Sequence, residues 1–434
     1  MSADSQNIVL VSIDSLRGDH CGFLGDDRGL TPAMDRLAKE GVAYNNAVAP
    51  GPQTFSSMPS VFTGRERPPT TLENYPQESH WERRLAAIDD YLAKNASLAE
   101  RLQERGYETA AVTPNPWTST ASGFDRGFDR FVDCSGTSED SWIRRIAERI
   151  PGLDTDTRAG ELVLNMLSGS EFFSQWETLY DDIEKARKEL SEPYFLWVFV
   201  LDTHYPFIVS RAHRREQTLL GTYYNTYRSS EPMRGNGGEL SDRVRGSMGK
   251  SYRDTVRASD AFVDRLQSDL AVDDPVFIVH SDHGESFGEH GNYGHHHREV
   301  YEENVHVPYL VHNAGVDADI DEPTSLTTVH DTALTIARTG TFDPADTTEP
   351  YVVASSECGR NKAVRGQQFK HLDLDGERLL FDLDSDRDER TNVAEMNPEL
   401  STELHQRLER RDRHTAETNK IHQGTRLLVA QRSV

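Results

Sequence analysis

Apolar and polar positions follow two patterns along most of the chain. Four short apolar runs are typical of parallel strands buried on both faces of a sheet; they occupy 7–13, 109–113, 194–201 and 276–280. Amphipathic segments lie between several of these runs. Because strands alternate with helices, the pattern predicts an α/β fold with a mainly parallel sheet.

Capping residues and apolar spacing predict three helices in this part of the chain. The first, over 31–41, has Thr as its N-cap, Pro in its first turn and Gly as its stop. The second, over 98–105, has Ser97 as its N-cap. A third, over 252–270, has apolar residues at helical spacing.

Two stretches, 135–190 and 208–246, are more polar and less patterned. We expect them to be insertions over the face where the strands end, the usual place for loops that shape a substrate pocket. Near the C-terminus, short strands over 363–374 and 378–383 are joined by Asp-Gly, which predicts a hairpin. A charged helix over 398–418 follows.

Acidic residues outnumber basic ones, with 72 Asp and Glu against 47 Lys and Arg and a net charge of −25. Such a polyanion is not expected to bind nucleic acid or an anionic membrane through its overall field. Only 8 of the basic residues are Lys. An acid-rich, Lys-poor surface suggests a salty cytoplasm, where screening tolerates self-repulsion.

The three cysteines show no CxxC spacing, which fits a reducing compartment and excludes a disulfide framework or a thiolate zinc site. The N-terminus has no basic region of the kind that opens a signal peptide. The longest apolar stretch, 194–201, is far too short to span a membrane. We therefore expect a cytoplasmic protein.

Polar side chains follow three of the predicted strands. Asp14 follows the first, His204 the third, and Asp282 and His283 the fourth, while Thr54 lies where a Pro/Gly loop gives way to a helix. The carboxyl ends of the strands share one crevice, so these side chains can converge. Two carboxylates, an imidazole and a hydroxyl suit a divalent cation. Such a cation lowers the pKa of the hydroxyl of Thr54.

Each of these residues also has a structural explanation when it is taken alone. Asp14 fits a turn or cap, Thr54 fits a helix cap, and His204 fits a structural role before Tyr-Pro. The run of three histidines at 295–297 fits either a solvated loop or an ion site. The functional interpretation therefore rests on order and combination.

The combination resembles the sulfatase-like family within the alkaline phosphatase superfamily, over most of the chain. The segments that carry the resemblance occur in the family's order: Asn-Ile-Val-Leu-Val-Ser-Ile-Asp14, Thr31-Pro-Ala-Met-Asp-Arg-Leu-Ala-Lys-Glu-Gly41, Gly106-Tyr-Glu-Thr-Ala110, Gly123-Phe-Asp-Arg-Gly-Phe-Asp129, His204-Tyr-Pro206, Ser281-Asp-His-Gly-Glu285, Tyr301-Glu-Glu-Asn-Val-His-Val-Pro308 and Leu380-Phe-Asp-Leu-Asp. The resemblance implies an α/β/α sandwich with a mainly parallel sheet over 5–340. A small α+β subdomain with a short antiparallel sheet and a terminal helix follows over 341–434.

The resemblance also implies a site. One divalent ion per chain, Mn²⁺, Zn²⁺, Mg²⁺ or Ca²⁺, would have four ligands: Asp14, Thr54, Asp282 and His283. His204 would contact the substrate anion. His297 would contact the substrate or protonate the leaving group, and a second ion remains open if His295 or His297 were ligands.

The sequence departs from true sulfatases at several positions. Thr54 stands where sulfatases carry the Cys or Ser that becomes formylglycine, and threonine cannot form that aldehyde. Ser15 and Met58 replace an Asp and an Arg, and 113–116 lacks the expected Lys and His. A threonine nucleophile is similar to that of the family's phosphodiesterases, phosphoglycerol transferases and phosphoethanolamine transferases. The preferred hypothesis is a hydrolase or transferase acting on a phosphate mono- or diester.

Two alternatives remain open. A true sulfatase would use Ser57, although three residues would then be missing before Thr63-Gly64. A catalytically silent relative would bind metal or an anionic glycan, because a fold can outlive its chemistry. The expected ligand is an anionic ester, either a small molecule or part of a glycan or lipid headgroup.

Overall fold

The structure is a computed structural model that describes residues 6–135, 175–235, 237–295, 299–413 and 417. Its strands are β1 Ile8–Ile13, β2 Gly41–Tyr44, β3 Ala47–Val48, β4 Glu108–Thr113, β5 Arg130–Asp133, β6 Tyr194–Val200, β7 Val276–Ser281, β8 Ser286–Phe287, β9 Tyr293–Gly294, β10 Tyr309–His312, β11 Ala318–Ile320, β12 Thr324–Ser325, β13 Val352–Ser355, β14 Asn361–Arg365, β15 Phe369–Leu374 and β16 Glu377–Asp382. Its α-helices are α1 Pro32–Lys39, α2 Thr54–Thr63, α3 His80–Leu92, α4 Leu98–Gln103, α5 Trp176–Lys188, α6 Leu219–Met233, α7 Asp242–Asp269, α8 Glu302–Val305, α9 Thr328–Thr339 and α10 398–413. Short 3₁₀ turns lie at Gly18–His20, Gly22–Leu24, Leu72–Asn74, Pro116–Thr118, Thr120–Ser122 and Pro344–Thr347.

Eight strands form the main sheet, in the order β11-β2-β10-β7-β1-β6-β4-β5. All neighbouring pairs are parallel except those made by β10, which is antiparallel to both β7 and β2. The four apolar runs of the sequence are the adjacent strands β7, β1, β6 and β4. The prediction of an α/β fold with a mainly parallel sheet is confirmed.

Helices cover both faces of this sheet, because side chains alternate along each strand. Val9, Val11 and Ile13 of β1 pack into one apolar cluster with α1, α5 and α7. Ile8 and Leu10 of the same strand pack into a second cluster with α2, α3, α4 and α9. The result is the predicted α/β/α sandwich.

The polar stretches 135–190 and 208–246 contain more helix than the sequence pattern indicated. Helix α5 buries four large apolar or aromatic side chains at helical spacing: Trp176, Leu179, Tyr180 and Ile183. Helix α6 and the first turns of α7 also fall within these stretches. Charged residues on the outer faces of these helices made the apolar spacing hard to recognise in the sequence. Residues 136–174 lie outside the described part of the chain.

Helix α1 begins as predicted, with Thr31 at the N-cap position and Pro32 in its first turn, but its capping contacts and its C-terminal end differ from the prediction. Thr31 makes no capping hydrogen bond to the helix and instead donates to the carboxylate of Asp35 at 2.9 Å. The backbone N–H groups of Ala33 and Met34 donate to the carboxylate of Asp260 on α7, at 2.9 to 3.1 Å. Gly41 begins β2 rather than stopping the helix, and a Cβ there would lie 2.3 Å from the carbonyl oxygen of Val311.

A second sheet, β13-β14-β15-β16, is antiparallel throughout and lies near the C-terminus. The Asp-Gly hairpin is confirmed between β15 and β16. The single strand expected over 363–374 is instead β14 and β15, because the chain turns at Gly366, whose N–H donates to the carbonyl of Phe369 at 2.8 Å. Leu404 and Leu408 of α10 pack on one face of this sheet.

A buried ion cluster joins the small sheet to α8. Lys370 Nζ of β15 lies 2.9 Å from Glu302 Oε1 and 3.0 Å from Glu389 Oε1. Arg365 Nη2 of β14 lies 3.5 Å from Glu302 Oε2. Because a buried charge without its partner is costly, loss of any one of these side chains would destabilise the junction between α8 and the small sheet.

No α-helix in the described ranges combines the length and the apolar character that a membrane crossing needs.

His371 on β15 is buried, and its ring centroid lies 5.7 Å from that of His405 on α10. Burial, followed by the charge of His405, lowers the pKa of His371 from 6.5 to about 4. Below pH 6.5 the unfolded chain takes up a proton at this position, whereas the folded chain does so only near pH 4. His371 therefore removes stability as the pH falls through this window.

We expect His371→Leu to reduce the loss of unfolding free energy between pH 7 and pH 4.5 by about 2 kcal/mol. Urea denaturation at the two pH values measures this difference. His80→Leu, at an exposed position on α3, serves as the control and should keep the acid sensitivity of the original chain. Equal acid sensitivity in all three proteins would contradict the prediction.

Candidate active site

The site is built where β1 and β7 end side by side. Ile13 pairs with Ser281, so the next residues, Asp14 and Asp282, leave the sheet at the same level. One ligand atom from each of Asp14, Asp282 and His283 lies within 4.8 Å of the other two. All three side chains are fully buried.

Hydrogen bonds orient these three side chains. Ser15 Oγ donates to Asp14 Oδ1 at 2.8 Å, and the N–H of Ser15 donates to Asp282 Oδ1 at 3.2 Å. His283 Nδ1 donates to the carbonyl of Gly284 at 2.8 Å. That bond directs Nε2 toward the carboxylates, 3.6 Å from Asp14 Oδ1 and 3.5 Å from Asp282 Oδ2. Nε2 therefore carries a lone pair into the cluster.

The first residue of helix α2, Thr54, places its hydroxyl beside the cluster of Asp14, Asp282 and His283. Thr54 is the first helical residue, and Gln53 rather than Thr54 is the N-cap. Thr54 Oγ1 lies 3.3 Å from His283 Nε2 and 3.4 Å from Asn115 Nδ2. Asn115 Nδ2 also donates to Asp14 Oδ2 at 2.8 Å. The amide thereby links the hydroxyl to the carboxylate cluster.

Ser57, the other candidate nucleophile, lies one turn further along α2. Its hydroxyl is fully buried and has no hydrogen-bond partner within the described ranges. Among the described residues, the cluster of Asp14, Asp282 and His283 therefore contacts the hydroxyl of Thr54 and makes no hydrogen bond to that of Ser57.

Two further histidines extend the site from His283. The ring centroid of His295 lies 4.6 Å from that of His283 and 5.2 Å from that of His204. His295 is held by Glu285, since His295 Nδ1 lies 3.0 Å from Glu285 Oε1. His204 Nδ1 donates to the carbonyl of Tyr205 at 2.6 Å. His297 lies outside the described residues.

Burial makes the pocket unfavourable for the negative charge it holds. Burial raises the pKa of Asp282 to about 7 and that of Glu285 to about 8. The pKa of Asp14 is also raised, first by burial and then by the charge of Asp282. Burial lowers the pKa of His295 to about 3.

Two fully buried carboxylates side by side carry an excess of negative charge that burial makes costly. A cation placed among two carboxylates, an imidazole lone pair and a hydroxyl would remove that imbalance, and the donor set is one that divalent ions accept. The residues present therefore fit a divalent metal.

The sequence predicts no role for two residues of this site, Asn115 and Glu285, and it places a third, His295, only as an alternative ligand of a second ion. Asn115 follows β4 at the same edge of the sheet, which was the available signal. Glu285 lies in the Asp-His-Gly-Glu segment, two residues after His283. His295 was weighed as one ligand of a second ion, among three histidines that spacing could not separate.

Comparison with known proteins agrees with this architecture. The family model described as Sulfatase matches residues 6–340. An arylsulfatase of Clostridium perfringens (strain 13 / Type A) is 30% identical over 108 residues, which are 24% of this chain and 20% of that protein. The chain thus matches about a fifth of the length of that relative.

Two solved structures have the same fold over nearly the whole chain. The 2-O GAG sulfatase BT1596 is 16% identical with a TM-score of 0.64, covering 97% of this chain and 94% of that one. The phosphonate monoester hydrolase of Agrobacterium radiobacter is 18% identical with a TM-score of 0.60, covering 97% and 96%. The family model covers more than half of the chain, and it shows that this chain belongs to the sulfatase family.

Proposed function

We propose that this chain is a metal-dependent hydrolase or transferase that cleaves a phosphate mono- or diester through Thr54. The observation that carries the proposal is the placement of Thr54 Oγ1 within 3.4 Å of both His283 Nε2 and Asn115 Nδ2. Asp14, Asp282, His283 and Thr54 itself would hold one divalent ion. The imidazole ligand favours Mn²⁺ or Zn²⁺ over Ca²⁺.

Three side chains of the site, those of Thr54, Asn115 and His204, have a chemical role in this proposal. Thr54 Oγ attacks phosphorus from the first turn of α2, whose N-terminus favours negative charge on that oxygen. Asn115 donates to Thr54 Oγ1 and keeps it in line with the cluster. His204 contacts the ester anion. Because its Nδ1–H is bound to a carbonyl, the imidazolium form passes the proton on Nε2 to the leaving oxygen and becomes neutral.

The metal would supply Lewis-acid charge that favours the ionised hydroxyl and the anionic ester. The hydroxyl of Thr54 loses its proton to water, and Oγ1 then forms a bond to phosphorus while the bond between phosphorus and the alcohol oxygen breaks. The alcohol leaves with the proton from His204, and the phosphoryl group stays on the threonine. Water or an acceptor alcohol then removes that group and restores the hydroxyl. His297 remains a proposed second contact or proton donor.

Threonine chemistry supports phosphorus over sulfur. A formylglycine hydrate can eliminate sulfate, whereas a plain threonine ester has to be displaced, which phosphoryl transfer permits. The similar fold of a phosphonate monoester hydrolase is consistent with this choice.

A true sulfatase is the second candidate, because the arylsulfatase and the 2-O GAG sulfatase are named for that reaction. These names support sulfate esters at least as well as phosphate esters. In this case a hydroxyl of α2 other than Thr54, namely Ser57, would be the expected nucleophile.

The test is parallel turnover of p-nitrophenyl phosphate, bis-p-nitrophenyl phosphate and p-nitrophenyl sulfate. Mn²⁺, Mg²⁺, Ca²⁺ and Zn²⁺ are added singly in molar KCl, because the acid-rich, Lys-poor composition favours a high-salt cytoplasm. Cleavage of a phosphate ester, with sulfate cleavage weaker or undetected, is the expected result. Preferred release of sulfate would overturn the assignment to phosphorus and select the sulfatase.

A further inference from the structure

Helix α6 presents large apolar side chains to solvent along one face. Leu220, Tyr224 and Tyr227 are four and three residues apart, so they share one side of the helix, and they are 72%, 57% and 53% exposed. Most of the residues that the helix buries are small and polar, namely Thr222, Asn225, Thr226 and Ser229. An ordinary surface helix has the opposite arrangement, with its apolar face toward the core.

The buried polar side of α6 is satisfied by hydrogen bonds. Thr226 Oγ1 donates to the carbonyl of Thr222 at 3.0 Å, and Ser229 Oγ donates to that of Asn225 at 2.8 Å. Asn225 Nδ2 donates to Ser247 Oγ of α7 at 2.7 Å. These bonds fix the rotation of the helix, so its apolar face stays outside. A continuous exposed apolar face of this kind marks an interaction surface.

Exposed arginines flank this face. Arg211 and Arg215 lie in the segment just before α6, Arg228 lies on the helix, and Arg234 is its C-cap residue. Within the described ranges, none of these four arginines forms an ion pair with a carboxylate. Their charges are therefore available to an anionic partner.

The charge around α6 has the opposite sign to that of the whole chain. Residues 210–235 contain five Arg and two Glu, whereas the chain has a net charge of −25. Of the two, Glu216 is paired with Arg253 and Arg257 of α7, and Glu231 lies on the exposed face, one turn beyond Tyr227. Charges more than about 8 Å away are largely screened at physiological salt. A partner at this face therefore senses the arginines more than the acidic remainder of the protein.

The inner side of α6 contacts the chain beside two histidines of the candidate site. Tyr205, which follows His204, donates its hydroxyl to the carbonyl of Thr226 at 2.6 Å. A Cβ at Gly294, which precedes His295, would lie 2.7 Å from a carbonyl oxygen in the last turn of α6. One helix, about 10 Å across, therefore separates the outer face from this part of the chain.

We propose that the exposed face of α6 and its flanking arginines dock this chain on an anionic lipid bilayer. Leucine and tyrosine side chains enter the boundary between headgroups and acyl chains, while arginines bind the lipid phosphates. A nucleic acid would pair with the arginines and leave Leu220 in water. A second copy of the chain, meeting this face with its own, would bring the two sets of arginines together. The docking is peripheral, and it does not depend on which ester the site cleaves.

Co-sedimentation of the full chain with lipid vesicles tests the proposal. The vesicles contain phosphatidylcholine, either alone or with an equal amount of phosphatidylglycerol. KCl is lowered from about 1 M to the lowest concentration at which circular dichroism shows a folded chain, so that screening is varied. One variant, Leu220→Ser, changes the apolar face, and a second, Arg211→Gln with Arg215→Gln, changes the charge.

Each variant has a matched control elsewhere on the protein. Met396 is 70% exposed, so Met396→Ser removes an apolar side chain of similar exposure to Leu220. Arg105→Gln with Arg338→Gln makes the same change in net charge at two exposed positions away from α6. The melting temperature of each protein shows whether it is folded.

The original chain should bind vesicles that contain phosphatidylglycerol more tightly than those that do not, and the difference should grow as KCl is lowered. Leu220→Ser should weaken this binding about 5- to 10-fold. Arg211→Gln with Arg215→Gln should weaken it about 10- to 30-fold at the lowest KCl concentration and much less at about 1 M. Both controls should bind as the original chain does.

Absence of binding to phosphatidylglycerol vesicles at every KCl concentration would overturn the proposal. Equal weakening by Arg105→Gln with Arg338→Gln would also overturn it, because the overall charge would then be responsible. Without vesicle binding, an oligonucleotide retained through Arg211 and Arg215 would assign the face to nucleic acid. Self-association that is lost in Leu220→Ser would instead assign it to a second copy of this chain.

Discussion

Thr54→Ala should lower kcat/KM on the preferred ester by about 10³-fold or more, because the reaction loses its nucleophile. Thr54→Ser keeps a hydroxyl at the same position and should retain a measurable part of the activity. Ser57→Ala removes the neighbouring hydroxyl of α2, which has no hydrogen-bond partner in the described part of the chain, and should retain most of the activity. Initial rates over a range of substrate concentrations give all four values.

Mass spectrometry adds a readout that activity alone does not provide. With a slowly released substrate, the original chain and Thr54→Ser should each gain one phosphoryl group, and Thr54→Ala should gain none. Loss of activity in Ser57→Ala with full activity in Thr54→Ala would contradict the proposed nucleophile.

Replacing a residue that only hydrogen-bonds to a metal ligand typically lowers metal affinity by about 10- to 100-fold. Asp282→Asn changes a proposed ligand itself, so it should weaken metal binding by at least that factor. The Asp282 carboxylate is fully buried beside Asp14 and His283, so the amide removes charge without changing the volume. Metal content after dialysis should be close to one ion per chain in the original protein and much lower in the variant.

The same metal should stabilise the fold. An ion at about 100 times its Kd contributes about 2.7 kcal/mol to the free energy of unfolding. Melting temperature should therefore rise on metal addition in the original chain and in Asp264→Asn, an exposed position on α7. Asp282→Asn should show little rise, and a rise equal to that of the control would place the ion elsewhere.

The elements that the sequence identified well are those with local signals. The strands β1, β4, β6 and β7 are short apolar runs that would be buried in any parallel sheet. Ser97 caps α4 with the expected hydrogen bond to the N–H of Glu100. The start of α1 was less predictable, because its N–H groups bind Asp260, which is more than 200 residues away along the chain.

The residues of the candidate site also include some that the sequence could predict and others that it could not. Asp14, Asp282 and His283 follow strands and could be expected to meet at one edge of the sheet. Asn115 could not be assigned, because asparagine after a strand is common in turns and its contact with Thr54 depends on a helix from another part of the chain. Glu285 and His295 depend on how the chain folds back after β7, which no local pattern specifies.

The cluster of Lys370, Glu302 and Glu389 limits which truncations and domain exchanges this fold tolerates. A chain cut after α9 would leave the Glu302 carboxylate in place without Lys370 and Arg365. Truncations or domain exchanges that separate the last hundred residues from the rest should therefore lower the stability of the chain. Substitutions on the exposed faces of α3 and α6 leave that cluster intact.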